Sequence, residues 1–462
     1  MTIKSPQIGA HIRTSNDKIA TRRLLALKNR LSETPGRIPT TSKVYDSKLN
    51  KTDDNAEAVI RQHPSGLSKI RLNRPTKLNA ISFNMCDIIS QAVLAWENLE
   101  TSKAILITSE GRQAFCAGGD IRALMDLEQQ DRHEECIALF QKHSRLTHTV
   151  GSIMGGGVGL TISAPFRVAT ENTIHAMPET MIGHFPDASA SFWMPRLDGF
   201  LGLYLMLTGR RLRGPDVYYS GIATHYVQSK DLAELEVALE ELASKTNGVL
   251  ELHDINAVID RFSVDMEEKE LPFSLGGNIW QAINRCFQHN TIENIVAALK
   301  EENVAVSWAK ETNDLLSKMS PTSLKLSLQL YYAGANLCFV DCMRLEYQLT
   351  NLTLASKEFA EGTRAALITK TAPNWNPPTL EQVDANEIKK RFFDTPISNP
   401  LQTLHEGGNF IEYPHTPFIL PRCSEILDVA NRMGHDEAVK YFMDKYNEKK
   451  GVKTKVVSVL NK

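Results

Sequence analysis

The sequence predicts an α/β fold followed by a predominantly helical region. A strand pattern begins at Leu67, a helical stripe follows it, and a second strand pattern ends at Thr108. A strand, a helix and a strand within about 45 residues indicate a crossover unit on a partly parallel sheet. From about Phe200 onward, the apolar residues have mostly helical spacing.

The crossover unit is the clearest local prediction. LSKIRLN, which begins at Leu67, alternates like a half-buried strand, and a turn at Arg74–Pro75 follows it. Ser82 is a suitable N-cap for the next helix. The apolar stripe of that helix consists of Met85, Ile88, Ile89, Ala92, Val93, Trp96 and Leu99. AILIT (104–108) then predicts a short buried strand.

The remaining patterns divide the chain further. FRVAT (166–170) predicts a strand, and helices are predicted around Leu324–Tyr331 and Leu337–Leu352. Residues 371–423 hold eight of the 20 prolines, which indicates an extended wrap, and a helical pair broken at Gly434 leads into a basic tail. We therefore predict four segments: a basic arm and linker (1–57), a core (58–230), a helical C-terminal part of the same domain (231–380) and a C-terminal extension with a basic tail (381–462).

The composition of the 462 residues is that of a globular protein, with 42% hydrophobic and 23% charged residues. No apolar run reaches the roughly 18 residues of a transmembrane helix, so we expect no membrane contact. The seven cysteines are scattered and form no CxxC pair. We expect reduced thiols, without a disulfide framework or a zinc site.

The net charge of −2 conceals two basic ends. Residues 1–51 hold 11 Lys and Arg against three acids, and residues 441–462 hold six Lys against two acids. The N-terminal arm fits three interpretations: a mitochondrial transit peptide, a retained arm that contacts an anionic partner such as RNA, and a solvated tail. The sequence leaves all three open.

Two glycine-rich turns, each expected to open a helix, are candidates for a functional site. They are THTVGSIMGGGVGLTIS (147–163) and AFCAGGDIR (114–122). Ile162 stands where the first stretch would need the third glycine of GxGxxG, and no GK[ST] follows for a P-loop. Two such turns can instead aim two backbone N–H groups at one oxygen, which stabilises an oxyanion in acyl or enolate chemistry.

Several motifs, in chain order, carry a family resemblance. They are LNRPxKLNA (72–80), FCAGGDIR (115–122), MGGGVGL (154–160), AMPETxIGxFPD (176–187), TGRRLRGPDVYYSGIATHYV (208–227), KMSPTSLK (318–325) and FAEGTRAALITK (359–370). Over roughly residues 58–380 the chain resembles the crotonase superfamily, and within it most closely the 3-hydroxyisobutyryl-CoA hydrolases. The resemblance implies an α/β crotonase (ClpP-like) spiral of ββα units with a helical C-terminal region.

The resemblance also implies an acid pair and an oxyanion hole. Glu179 matches the family's nucleophile or general base toward the thioester carbon. Asp187 matches the second acid, which holds the substrate hydroxyl and assists proton transfer. Gly119 and Gly156 match the residues whose backbone amides polarise the thioester carbonyl, and losing one such donor typically costs about 2.7–4 kcal/mol of transition-state stabilisation.

A second group of residues is implied for substrate binding. Lys77, Ala117 and Arg122 match positions that hold coenzyme A in the family, and the two cations suit its phosphates. His143 occupies the position of a substrate-contacting glutamate of these hydrolases. The resemblance implies no metal and no separate cofactor, because coenzyme A enters as part of the acyl-CoA substrate.

Two stretches depart from the family pattern. Gly151-Ser152-Ile153 leads directly into MGGG, where relatives have a buried strand, and a typical strand needs about five residues. The glycines that follow FPD in the family are replaced by Ala188-Ser-Ala-Ser191, which we expect to crowd the acyl pocket or to stiffen its loop.

Two functions follow as hypotheses. The first is hydrolysis of 3-hydroxyisobutyryl-CoA, a step of valine breakdown, in the mitochondrial matrix; enoyl-CoA hydration is disfavoured because Gly159 stands at the typical hydratase glutamate position. The alternative is a structural protein of the mitochondrial small ribosomal subunit that derives from such a hydrolase. Its basic ends would then contact ribosomal RNA and small-subunit proteins.

Overall fold

Three strands form the main sheet, in the order β1–β2–β3. They belong to a computed structural model that describes residues 54–97, 99–153, 158–264, 273–404, 409–413 and 416–460. The seven strands are β1 (Ala58–Gln62), β2 (Leu67–Leu72), β3 (Ala104–Ser109), β4 (Val168–Ala169), β5 (Ile174–His175), β6 (Leu212–Arg213) and β7 (His225–Tyr226). The basic arm of residues 1–51 lies outside the described residues.

Helices make up most of the rest. In the first half of the chain they are α1 (Phe83–Glu97), α2 (Ile121–Glu128), α3 (His133–Ile153), α4 (Val158–Thr161), α5 (Ala190–Trp193), α6 (Leu201–Thr208), α7 (Pro215–Tyr219) and α8 (Leu232–Lys245). The second half adds α9 (Leu252–Phe262), α10 (Gly277–Phe287), α11 (Ile292–Glu301), α12 (Val306–Leu316), α13 (Pro321–Gly334), α14 (Phe339–Leu354) and α15 (Lys357–Thr363). The last four are α16 (Ala385–Ile388), α17 (Cys423–Met433), α18 (His435–Lys445) and α19 (Val452–Leu460).

The predicted crossover unit is confirmed. β2 pairs with β3 in parallel, with Leu67 opposite Ala104, and α1 connects the two strands. The Ser82 hydroxyl accepts a hydrogen bond from the Met85 N–H at 3.2 Å, so this residue caps α1 as expected. The sequence reading missed β1, which pairs antiparallel with β2 through a turn at residues 63–66.

β3 is less buried than its sequence predicts. Only Ala104 is buried, and the other five residues of the strand are half-buried. The reason lies in α3, which remains helical up to Ile153, where the family would place a strand. In the described part of the chain, β3 therefore pairs only with β2 and forms an edge of the sheet. FRVAT also forms a shorter strand than predicted, limited to the two residues of β4.

A large apolar core joins the middle of the chain to its C-terminal extension. It reaches from Ile162 and Met177 through α6, α13 and α14 to Val456 and Leu460. A second core joins the sheet to α1 and α3 through residues such as Ile70, Ile89 and Val150. The described residues belong to one compact unit, Leu49–Lys462. The internal boundaries at residues 230 and 380 stay predictions.

Most of the predicted basic tail forms a helix that packs into the protein. The helical pair and its break at Gly434 are confirmed, but a third helix, α19, follows them and buries Val452, Val456 and Leu460. The extended wrap of residues 371–423 is also interrupted, by short helices such as α16. Counting charges along the sequence could not show that the last helix is part of the core.

Two lysines of this extension are buried and bind other residues of the protein. The Lys449 ammonium lies 2.9 Å from His225 Nε2 and 3.1 Å from Asp260 Oδ1, and Lys449 is buried. Lys455, also buried, donates to the Tyr219 carbonyl oxygen. Burial lowers the pKa of Lys449 and lowers that of His225 to about 4. These cations anchor the extension and do not form part of a basic surface.

All seven cysteines carry free thiols, and five are buried, as expected for reduced core residues. In the described part of the chain, no helix combines the length and the apolar character that a bilayer crossing requires.

Candidate active site

The turn that carries Glu179 is packed tightly against α15. Glu179 begins a 3₁₀ helix, Glu179–Ile182, which ends at Gly183 with a φ of +73°. A Cβ on Gly183 would overlap the Glu358 carbonyl group, and a Cβ on Gly362 would overlap the Ile182 backbone. The glycines of the IG and EGT motifs thus allow two backbones to approach closely and fix the position of the glutamate.

The Glu179 carboxyl lies in an acidic, desolvated environment. The residue is half-buried, and its Oε2 atom is buried without a hydrogen-bond partner. Burial raises the pKa of this carboxyl well above its ordinary value, and the charges of Asp187 and Glu346 raise it further. A glutamate whose pKa is raised in this way suits a general base that works near neutral pH.

Asp187 acts on Glu179 through its charge, so the structure brings the predicted acid pair together. Burial raises the pKa of Asp187 to about 6. Within the described residues, no cation is among the groups that shift the pKa of either carboxyl. No described cation therefore offsets the effect of burial on the pKa of these two carboxyls.

The third carboxyl of this environment, Glu346 on α14, was missed by sequence reasoning. It is 2% exposed and accepts hydrogen bonds from the Ser189 N–H at 2.8 Å, the Ser191 N–H at 2.8 Å and the Ser191 hydroxyl at 2.6 Å. Burial, followed by the charge of Asp187, raises its pKa to about 8. A glutamate on the otherwise largely apolar buried face of α14 is the one signal that could have identified it.

The loop that follows Asp187 departs from ordinary backbone geometry. Ala188 and Ser189 have φ values of +54° and +67°, in the left-handed region that favours glycine. This explains why glycines occupy these positions in the family. In this protein Ala188 and Ser189 occupy these positions, and Glu346 holds the loop through hydrogen bonds. From the sequence we expected the side chains to crowd the acyl pocket or to stiffen its loop, and these hydrogen bonds are consistent with the second alternative.

The second glycine turn is built around Arg74. Its guanidinium contacts Asp120 Oδ2 at 2.9 Å, Glu57 Oε1 at 2.9 Å and the Ala80 carbonyl oxygen at 2.6 Å. Asp120 in turn caps α2 by accepting from the Ala123 N–H at 3.2 Å. The LNRP and AGGD motifs are thereby joined into one unit.

Gly118 and Gly119 line open space. Gly118 has a φ of +84°, which explains its glycine, whereas Gly119 has no positive φ. A Cβ on either residue would meet no atom of the described residues within 4 Å. Packing within the protein therefore does not require glycine at position 119, and clearance for a ligand is a sufficient reason for it.

The proposed coenzyme A residues lie beside this open space. The Ala117 N–H donates to the Leu78 carbonyl oxygen at 3.0 Å, so Ala117 and Lys77 are neighbours. Lys77, Ala117 and Arg122 are all exposed, and Arg122 lies in the first turn of α2. Their exposure makes them available to an anionic ligand.

A small apolar cluster connects the two turns. Ile121, just after the Gly119 turn, and Ile182, in the Glu179 turn, pack against the same buried residues, which include Phe140 and Phe359. This shared packing fixes the acid pair relative to the glycine turn.

His143 lies on α3, next to this cluster. It is half-buried, and burial lowers its pKa to about 4. One turn earlier, the ring centroid of Phe140 lies 6.0 Å from that of His184, which follows the Glu179 turn. Gly156, the other predicted oxyanion residue, lies outside the described residues.

Comparison with known proteins shows the class of protein to which this fold belongs. The chain belongs to the enoyl-CoA hydratase/isomerase family, which matches residues 67–393. A carnitinyl-CoA dehydratase from Mycobacterium thermoresistibile has a similar structure, with a TM-score of 0.67 and 28% identity over 76% of this chain and 100% of its own. The predicted crotonase fold is confirmed.

Two kinds of curated relative have a higher sequence identity to this chain. The small ribosomal subunit protein mS47 of Neurospora crassa is 36% identical over 437 residues, which cover 88% of this chain and 86% of that protein. The mitochondrial 3-hydroxyisobutyryl-CoA hydrolase of Homo sapiens is 37% identical over 370 residues, which cover 76% of this chain and 93% of that protein. Both predicted kinds of relative are therefore found, and the mitochondrial localisation is confirmed.

Proposed function

We propose that this protein hydrolyses a small 3-hydroxyacyl-CoA thioester of the 3-hydroxyisobutyryl-CoA type in mitochondria. The observation that carries the proposal is the buried, electrostatically coupled pair of Glu179 and Asp187, which is held beside the open Gly119 turn. Hydrolases of this substrate are among the relatives that match the chain.

The residues divide the chemistry between them. Glu179, with its raised pKa, acts on the thioester carbon as base or nucleophile. The Gly119 amide, with Gly156 as the second donor, stabilises negative charge on the carbonyl oxygen. Asp187 holds the 3-hydroxyl group and passes a proton. Water adds across the C–S bond, so the products are the free acid and coenzyme A with its thiol protonated.

Substrate binding uses the exposed residues beside the glycine turn. Lys77 and Arg122 pair with the phosphates of coenzyme A. The Ala117 backbone lies along the arm of coenzyme A that carries the acyl group. His143 faces the acyl pocket in place of the family's glutamate. The reaction needs no metal and no cofactor besides the coenzyme A of the substrate.

A thioesterase assay tests this function. The full chain is given 3-hydroxyisobutyryl-CoA and release of the free thiol is followed, for the wild type and for Glu179→Gln. The control is Glu302→Gln, because Glu302 is a buried carboxyl that accepts from the Val304 and Ala305 N–H groups. We expect turnover by the wild type and the control and none by Glu179→Gln. Absence of wild-type turnover at saturating substrate contradicts the proposal.

A second candidate function, that of a small-subunit ribosomal protein, has its own supporting observation. The match to the Neurospora protein covers 88% of this chain, against 76% for the human hydrolase. The additional similarity must therefore lie beyond the part that the hydrolase matches. In this function the basic N-terminal arm contacts ribosomal RNA or neighbouring proteins, while Lys449 and Lys455 are already engaged in the core.

Sedimentation of mitochondrial extract tests the second candidate. We expect the full chain in the small-subunit fraction at low salt, and a variant without residues 1–51 to be partly released as salt rises, because contacts with phosphates weaken with ionic strength. A full chain that is absent from this fraction even at low salt rules out the ribosomal function.

A further inference from the structure

Glu346 connects a distant helix to the loop that carries Asp187. Its two carboxylate oxygens accept from the N–H groups of Ser189 and Ser191, which flank Ala190 and lie 157 and 155 residues away in sequence. The Ser191 hydroxyl adds a third hydrogen bond. A carboxylate that accepts two backbone N–H groups fixes both peptide units at once.

The loop needs such a contact. Ala188 and Ser189 adopt left-handed conformations that side chains disfavour, and the Ser189 side chain provides no cap for α5. On the opposite side, α13 approaches so closely that a Cβ on Gly334 would overlap the Ser191 carbonyl group. The loop is therefore clamped between α13 and α14, with Glu346 as its polar contact.

From these contacts we infer that Glu346 is a positioning residue for the reaction: it holds the Asp187 loop in its strained conformation. This inference rests on the proposed hydrolase function. It goes beyond the acid pair, because Glu346 acts on the substrate only through Asp187 and Glu179.

The titratable groups around Glu346 are two carboxyls and a thiol. Asp187 raises the pKa of Glu346, and Glu346 raises the pKa of Glu179. On its own helix, Glu346 also raises the pKa of Cys342, which burial brings to about 12. Because the pKa of Glu346 is raised to about 8, its role near neutral pH depends on the hydrogen bonds that it accepts from the loop and not on its charge.

The test compares Glu346→Gln with Glu302→Gln in the full chain, over a pH series of thioester hydrolysis. For Glu346→Gln we expect kcat to fall at least about tenfold with KM changed less than about threefold, since orientation contributes to the chemical step more than to binding. Glu302→Gln should change neither.

A merely structural role gives a different result. If Glu346→Gln loses thermal stability but keeps the wild-type kcat, the inference is overturned.

Unfolding measurements keep the inference testable without activity. The raised pKa of Glu346 means that its favourable contribution to stability is complete below the ordinary glutamate pKa and is lost as the pH rises toward 8. Between pH 5 and 8 the wild type should therefore lose stability relative to Glu346→Gln. The pKa of Glu302 is lowered to about 2, so the difference in unfolding free energy between the wild type and Glu302→Gln should be constant over the same pH range.

If the wild type does not hydrolyse the thioester, the proposed function fails, and unfolding then tests only whether Glu346 holds the Asp187 loop. The effects of Glu346→Gln and Asp187→Asn on unfolding should then be non-additive, because the two carboxyls act on each other. Additive effects, together with a constant difference between pH 5 and 8, would overturn the inference.

Discussion

The guanidinium of Arg74 lies 2.9 Å from the carboxylate of Asp120, and the two side chains are only 15% and 14% exposed. This ion pair ties the end of the first crossover strand to the cap of the helix that follows the Gly119 turn. Arg74→Met leaves the Asp120 carboxylate without its partner and frees the Ala80 carbonyl oxygen. We expect roughly 3 kcal/mol less unfolding free energy in urea, because hydrogen bonds to charged groups are worth about 1.5–3 kcal/mol each.

Arg71→Met is the matched control for that measurement. Arg71 pairs with Glu110 at 2.9 Å, but these side chains are 38% and 46% exposed. An exposed pair contributes less than about 1 kcal/mol. Equal losses in the two variants would show that the Arg74 pair has no special role.

Gly119→Ala separates packing from ligand clearance. The new methyl group meets no protein atom within 4 Å and requires no strained φ, so the thermal midpoint should stay within about 1 °C. Thioester hydrolysis should fall about 10–100-fold, equivalent to about 1.4–2.8 kcal/mol, because the methyl group occupies the approach to the carbonyl oxygen.

Gly362→Ala should behave in the opposite way. Its methyl group would overlap the Ile182 backbone, and overpacking of this kind costs about 1–3 kcal/mol. A large loss of stability in Gly119→Ala would contradict the open space described beside that residue.

Ser189→Gly should stabilise the protein. A left-handed conformation costs a residue with a side chain roughly 1–2 kcal/mol, and the buried Ser189 hydroxyl has no hydrogen-bond partner. We expect a gain of about 1 kcal/mol by urea unfolding. Ser191→Gly should lower stability instead, because it removes the hydroxyl that bonds to Glu346. A loss of stability in Ser189→Gly would mean that the loop is not strained.

Lys449→Met tests the anchor of the C-terminal extension. The substitution leaves Asp260 beside a largely neutral His225, and removing one partner of a buried ion pair costs roughly 3–5 kcal/mol. The 25% exposure of the Asp260 side chain reduces this to about 2 kcal/mol. Lys453→Met, at an exposed position on α19, should be neutral. Equal unfolding free energies for the two variants would exclude the anchor.

The protein should also lose stability in mild acid. Burial lowers the pKa of His175 to about 4 and that of His184 to about 3, so both stay neutral in the fold. An unfolded histidine binds a proton near pH 6.5. The contribution of these two buried histidines to the free energy of unfolding is therefore fully present above that pH and is lost as the pH drops toward 4. His184→Gln should unfold with a shallower pH dependence between 6.5 and 4.5 than His253→Gln, whose side chain is 80% exposed in the parent. Identical slopes would contradict a buried neutral His184.

The first crossover unit could be predicted because its signals are local. Alternation from Leu67, the Ser82 cap and the stripe from Met85 to Trp96 each describe contacts within one element or between neighbours. β1 was missed because its three apolar residues, 58–60, are followed by polar Arg61 and Gln62, so neither an alternation nor a continuous apolar run appears.

The site could be predicted only in part, for a related reason. Glu179 and Asp187 stand in one short motif, whereas Glu346 reaches Ser191 across 155 residues of chain. The burial of Lys449 and Lys455 could not be predicted, because the sequence shows the charge of a residue but not whether it is buried. Whether Lys449 meets solvent or Asp260 depends on a contact between residues 189 positions apart.

The burial of α19 has a consequence for the order of folding. Val456 and Leu460 share a core with Ile162 and Met177, so the middle of the domain cannot exclude water fully until the last described helix is available. A chain made or threaded from its N-terminus would hold this core open until nearly all of it had emerged. Contacts between distant parts of a chain form slowly, and the partly closed state exposes apolar surface in the meantime. Maturation of this protein should therefore depend on chaperones that hold such an intermediate in solution.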